Sequence, residues 1–127
     1  MSHSIKLQRA YDHESKSVGK RILVDRLWPR GIKKEDLELD EWLKQVAPSN
    51  NLRKWFGHDA ERWDEFQKRY RAELDPSKND DLSKLFTLAD KGPVTLIYAA
   101  ADEEHNNAVV LRDLIKETRS GTNAEDK

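Results

Sequence analysis

Apolar residues follow two kinds of pattern along the chain, and each kind predicts a different element. Three stretches are short and nearly continuous. Ile5 to Tyr11 reads as a short strand. Arg21 to Trp28, with Ile22-Leu23-Val24 and then Leu27, reads as a strand covered on both faces, as in a parallel sheet. Pro29-Arg30-Gly31 stops it, and Val94 to Ala100 is a second buried-strand run. Between the first two stretches, Asp12, Ser15, Ser17 and Gly19 supply turn chemistry.

Elsewhere the apolar spacing is helical. Trp63, Phe66, Tyr70 and Leu74 form one stripe of a 3.6-residue period, opened by Asp59 and ended by Asp75-Pro76. Leu82, Leu85, Phe86 and Ala89 repeat the pattern before Gly92-Pro93. Asp40 stands where it would cap a short helix carrying Trp42, Leu43 and Val46, ended by Pro48. Ser49 is the expected cap of a second short helix with Leu52, Trp55 and Phe56, closed by Gly57 in a left-handed conformation. A last helix carries Ala108, Leu111, Leu114 and Ile115.

The order strand, strand, helices, strand, helix predicts an α/β fold. The expected form is one small domain over residues 5–119, with a short, at least partly parallel sheet flanked by helices. Residues 120–127 carry no large apolar side chain and are expected to form a disordered tail. If the strands beginning at Arg21 and Val94 are parallel neighbours, the intervening helices form a right-handed crossover. A ligand then belongs beyond the carboxyl ends of the strands. Three polar segments would meet there: Arg9 to Asp12, Asp25 to Gly31, and Tyr98 to Asn107.

Composition narrows the classes of function. A chain of 127 residues can bury one core without staples. Four tryptophans set it apart from a disordered chain, despite a mean hydropathy of -0.94. Its 23 basic and 24 acidic residues leave a net charge of -1, without the basic excess of a dedicated nucleic-acid binder. A local basic patch remains compatible with that balance. The absence of cysteine excludes disulfides, thiolate zinc sites and a cysteine nucleophile, and fits a cytoplasmic location. No apolar run nears the roughly 20 residues of a membrane span, and Met1-Ser2-His3-Ser4 does not read as a signal peptide. No membrane partner is expected. There is no glycine-rich phosphate loop, no G-x-S-x-G elbow and no paired-histidine ligand spacing. No cofactor and no metal are therefore expected.

The most unusual stretch is Asp25-Arg26-Leu27-Trp28-Pro29-Arg30-Gly31. Strand alternation would put Arg26 on the face of Ile22, Val24 and Trp28, and Asp25 on the face of Leu23 and Leu27. A charge inside a buried strand is costly unless paired. Two readings stay open: an internal pair between Asp25 and an arginine that fastens the sheet end, or a carboxylate and guanidinium facing a ligand. Arg9, Arg26 and Arg30 together could grip a carboxylate or phosphate through forked hydrogen bonds. Tyr98 and Asn106, in the segment after the last strand, join them as candidate ligand contacts. Arg53, with Trp55 and His58, forms a second group suited to stacking or cation–π contact, although Trp55 and Phe56 in such a pattern are more often core. Asp25 and His105 are the candidates for acid–base chemistry. No serine stands at a strand end beside a histidine.

Arg9, Gly19 and the run Arg21 to Gly31 also carry a resemblance. With Leu39-Asp40-Glu41-Trp42-Leu43-Lys44, Ala47-Pro48-Ser49, Leu52-Arg53-Lys54-Trp55-Phe56, His58, Val94 to Ala100 and His105-Asn106-Asn107-Ala108, they resemble the YeaO-like branch of the domain-of-unknown-function 488 family. The match covers roughly residues 5 to 115. It implies a small bacterial cytosolic α/β protein and supplies no reaction. A broader branch carries a Cys-His-Arg motif after its last strand. Here that segment holds His105 and Asn106 with no cysteine, so thiol chemistry does not carry over. Some members bear transcription-regulator names, but this chain shows no two-helix recognition unit with a basic face.

The expected function is therefore binding of, or action on, a small anion such as a phosphorylated metabolite or nucleotide at the strand ends. One alternative is a nucleic-acid module using Arg30, Lys33, Lys34, Arg53 and Lys54 as a phosphate-contacting rim. The other is an interaction module presenting Trp42, Trp55 and Phe56.

Overall fold

The chain runs through β1 (Ile5–Arg9), β2 (Lys20–Leu23), α1 (Lys34–Leu37), β3 (Glu41–Trp42) and a 3-10 turn (Lys44–Val46). It continues through α2 (Asn50–Phe56), a second 3-10 turn (Ala60–Arg62), α3 (Trp63–Glu73), α4 (Asp80–Lys91), β4 (Val94–Tyr98) and α5 (Asn107–Glu125). The computed structural model describes residues 3–12 and 17–125, so Ser15 of the expected turn and the last two residues lie outside it.

The four strands form one parallel sheet in the order β1-β4-β2-β3. β4 is central and buried at every position, as its continuous apolar run predicts. On one side it pairs with β1 from Ile5↔Val94 to Arg9↔Tyr98, and on the other with β2 from Lys20↔Val94 to Leu23↔Ile97. The expected parallel adjacency of the Arg21 and Val94 runs is present.

Side-chain alternation divides the interior. Ile22, Val24, Val94, Leu96 and Tyr98 face the larger core, which α2, α3, α4 and α5 cover with residues such as Phe56, Phe66, Tyr70, Leu85 and Leu111. Leu23 and Ile97 face a smaller cluster with Ala10 and Leu37, against which Trp28 and Trp42 pack. Ser49 caps α2 by accepting from Leu52 N at 3.2 Å, and Gly57 closes it at φ 53°, both as expected. The α5 backbone stays helical through Glu125, past the point where the apolar pattern ends.

Two local expectations are corrected. The strand from Arg21 ends at Leu23, not at Trp28. Its neighbour β3 is only two residues long, and beyond Leu23 the chain bends so that Asp25 accepts from Ala99 N instead of continuing the ladder. Alternation therefore fails past Val24, and Trp28 packs edge-to-face on Trp42 at 5.4 Å, away from Ile22 and Val24. Asp40 caps no helix. Its backbone N–H donates to Arg21 O at 2.9 Å and its carboxylate accepts from Arg21 N at 2.8 Å, which draws Glu41–Trp42 into the sheet as β3. Leu43 and Val46 still reach the larger core through the 3-10 turn. The four-residue α1 buries Leu37 alone and so leaves no periodic signal.

At the amino end of the sheet, backbones approach closely. Gly19 has φ 59°, and a Cβ there would lie 1.7 Å from Pro93 O. Only glycine fits. Among the described residues, no helix is long and apolar enough to cross a membrane.

Candidate functional site at the carboxyl ends of the strands

An open cleft of about 610 Å³ lies where β2 and β4 end. That size falls within the range of small-molecule pockets, about 300–1,000 Å³. All three polar segments contribute: Tyr11 from the first, Asp25 to Arg30 from the second, and Ala99 to Asp102 with His105 to Asn107 from the third. The opposite wall comes from Ala47, Pro48, Arg53, Phe56 and His58. Arg53 and His58, a separate group by sequence, thus share one cleft with Arg26 and Arg30. Trp55 does not line it. It packs on the larger core and is covered by Arg62 and Arg69, whose guanidinium carbons lie 5.2 and 4.1 Å from its ring. Phe56 is buried, and Trp42 packs with the smaller cluster, so the three aromatics proposed as an interaction surface form no continuous patch.

The arginines separate sharply. Arg62, Arg69, Arg71 and Arg112 form ion pairs. Arg9 Nε donates to Ala100 O at 2.9 Å and so pins the loop after β4; Arg9 is not among the cleft-lining residues. Arg21 is held by the carbonyls of Leu37 and Glu38 and by Ser17. Arg26, Arg30 and Arg53 all line the cleft, and none makes an ion pair among the described residues. Arg26 touches the carbonyls of Ala47 and Pro48 only at 3.4 and 3.5 Å through Nη2, and its buried Nε has no partner. An unsatisfied buried donor typically costs about 1–3 kcal/mol.

The structural reading of Asp25 as half of an arginine pair does not hold, because Asp25 forms no ion pair among the described residues. Its carboxylate accepts from Ala99 N at 2.8 Å and from Asn107 Nδ2 at 3.1 Å, linking the ends of β2 and β4 to the start of α5. Its backbone carbonyl accepts from Trp42 Nε1 at 2.8 Å. Burial pushes the Asp25 carboxyl above the ordinary carboxylate value, against the lowering effect of the two hydrogen bonds. Each oxygen thus accepts one hydrogen bond that ties neighbouring elements together.

His105 lines the cleft with its Nδ1 held 2.9 Å from Asp102 Oδ2 and its ring edge-on to Trp63 at 5.2 Å. Asp102 also accepts from the backbone N–H groups of Glu104 and His105. These contacts, with Glu104 N–H the leading one, keep Asp102 below the usual carboxylate range. With Nδ1 occupied, Nε2 is the ring nitrogen left for a ligand. Asn106 caps α5 by accepting from Val109 N at 3.1 Å and donates to Asp102 O at 2.9 Å, so its amide serves the loop it lines. Tyr98 is buried within the sheet and does not line the cleft; burial raises its phenol above the ordinary value.

Two residues on the cleft escape a pattern-based reading. Asn107 Nδ2 donates both to Val24 O and to Asp25, a role visible only once strand and helix are adjacent. Tyr11 donates from its hydroxyl to Arg30 O at 2.9 Å, fixing the Asp25–Gly31 loop from 19 residues away. Among the described residues, no group of three metal-ligating side chains comes together.

Residues 4–127 match the family described as the inactive DUF488-N3 subclade, and the chain belongs to that family. The uncharacterized protein YeaO of Escherichia coli (strain K12) is 45% identical over 113 residues, 89% of this chain and 97% of that protein. The uncharacterized protein Rv3073c of Mycobacterium tuberculosis (strain H37Rv) is 40% identical over 111 residues, 87% of this chain and 92% of that protein. The uncharacterized protein Mb3100c of Mycobacterium bovis aligns to the same extent. No solved structure matches the chain.

Proposed function

We propose that the cleft binds a small anionic molecule, a phosphorylated metabolite or a nucleotide, and that binding rather than turnover is its task. The observation that carries this reading is the distribution of arginines. Every described arginine side chain away from the cleft is engaged by a carboxylate, carbonyl or hydroxyl. Arg26, Arg30 and Arg53, whose side chains make no ion pair and no hydrogen bond shorter than 3.4 Å among the described residues, line one concavity. Asp25 and Asp102 also line the cleft, but neither pairs with these arginines, so an anion between the guanidinium groups would supply the partner they lack. A forked guanidinium contact to a phosphate suits such a site.

Two features favour binding over catalysis. The description of the family as inactive is one. The other is the acid–base inventory: Asp25 is committed to contacts that hold the strand ends together, which leaves the imidazoles of His58 and His105 as the proton carriers on the walls. A cytoplasmic setting, where phosphorylated metabolites abound, fits a chain without cysteine.

Thermal unfolding with inorganic phosphate, pyrophosphate and nucleotides tests the reading. Saturable stabilisation of the wild type that vanishes in Arg26→Met is the expected result, and no stabilisation by any of these compounds would overturn it. Salt separates the cleft from a nucleic-acid rim. A rim loses roughly 0.9 log unit of affinity per log unit of salt for each phosphate neutralised, so a steep slope with an oligonucleotide would favour that alternative.

A further inference from the structure

Building on the anion reading, we infer that the ligand is a nucleoside phosphate, with its phosphate on the arginines and its heterocycle against Leu27 and Tyr11. The cleft is larger than a simple oxyanion requires: about 610 Å³ is the space of roughly twenty waters. Its lip is also apolar. Leu27 is 63% exposed, the most open large apolar side chain among the described residues, and Tyr11 is 38% exposed. Both line the cleft. Tyr11 is presented rigidly, with its hydroxyl bonded to Arg30 O and the Arg9 guanidinium 5.4 Å from its ring centre. A fixed aromatic ring and a bare leucine thus line the same cleft as the three arginines and offer it apolar surface.

An alkyl phosphate would cover Leu27 equally well, but it would also cover polar edges. The side chains of His58 and Arg30 line the same cleft and make no hydrogen bond among the described residues. An alkyl chain would dehydrate them with nothing in return, whereas a base and ribose carry matching donors and acceptors. Stacking on an aromatic ring tolerates any base, so purine and pyrimidine should both bind.

Titration calorimetry of the full chain distinguishes this inference from the anion reading beneath it. The probes are inorganic phosphate, adenosine monophosphate, uridine monophosphate, adenosine and hexyl phosphate. Both nucleotides are expected to bind at least about ten-fold more tightly than inorganic phosphate or hexyl phosphate. Leu27→Ser, at an exposed position, should erase most of that advantage and leave inorganic phosphate unaffected. Nucleotides no tighter than inorganic phosphate would overturn the inference while leaving an anion site, as would hexyl phosphate matching them. Adenosine binding as well as its monophosphate, or no binding by any phosphate, would overturn both.

Discussion

Arg21, near the start of β2, and Arg26, three residues past its end, stand five residues apart, and the fold treats them differently. At the amino end, the Arg21 guanidinium is engaged at all three nitrogens: Nε donates to Leu37 O and Glu38 O at 3.1 Å, Nη2 to Leu37 O at 2.6 Å, and Nη1 to Ser17. The same end seats Gly19 directly on Pro93 and closes the Thr95 hydroxyl with the Val18 backbone at 2.8 and 2.9 Å. At the carboxyl end, Arg26 has two long contacts and a buried Nε without a partner. Side-chain chemistry is identical in the two places. What differs is whether the chain supplies acceptors, and at the carboxyl end it supplies a cleft instead. One end of the sheet is closed by its own hydrogen bonds, and the other is left open as a cleft.

This contrast can be broken from either side. The largest effect should come at the amino end from Gly19→Ala, which forces a Cβ against Pro93 O at a left-handed φ of 59°. A loss of about 2–4 kcal/mol in urea unfolding is expected. A loss below about 1 kcal/mol would show that this end is looser than it looks. Next, Arg21→Met strips two carbonyls and a hydroxyl of their donor and should cost about 2–3 kcal/mol. By contrast, Arg26→Met removes an unsatisfied donor and should change stability by less than about 1 kcal/mol. Equal losses in the two methionine variants would erase the comparison.

The smallest effect concerns pH. Burial holds the Asp25 carboxyl above its ordinary value, so the folded protein takes up this proton at a higher pH than the unfolded chain does. Its contribution to stability therefore grows as pH falls through the folded value, and levels off below the unfolded one. Asp75, Asp102 and Glu117 are shifted downward and act oppositely, with stabilisation present above the carboxylate range and lost as pH falls through their folded values. Asp25→Asn should flatten the gain on mild acidification. Urea midpoints measured across a pH series check this, and superimposable profiles for wild type and variant would contradict it.

Much of this contrast is legible in the sequence. The run Val94 to Ala100 announces a buried strand, of which Val94 to Tyr98 forms β4, and the polar segments at the strand ends locate the open end of the sheet. Ser49 and Gly57 mark both ends of α2 by local chemistry alone. Arg26, Arg30 and His105 can be placed at the cleft from the sequence because polar segments follow apolar runs. The failures share a cause. β3, the bend at Asp25 and the place of Trp28 depend on pairing between segments far apart in the chain, which local periodicity does not encode. For the same reason Arg9 reads as a ligand contact when it fastens Ala100, and Arg53 reads as part of another site when it faces the same cleft as Arg26. Residue type says that a guanidinium is present. Only tertiary structure says whether it is already occupied.

The most direct test is calorimetric titration of wild type, Arg21→Met and Arg26→Met with adenosine monophosphate, beside urea unfolding of the same three proteins. The account predicts a double dissociation. Arg21→Met should lose stability and keep its affinity, while Arg26→Met should keep its stability and lose about 1.5–3 kcal/mol of binding, the worth of a charged hydrogen bond. A wild type that binds no phosphate compound, with Arg26→Met as destabilised as Arg21→Met, would make both ends of β2 structural and contradict the central claim.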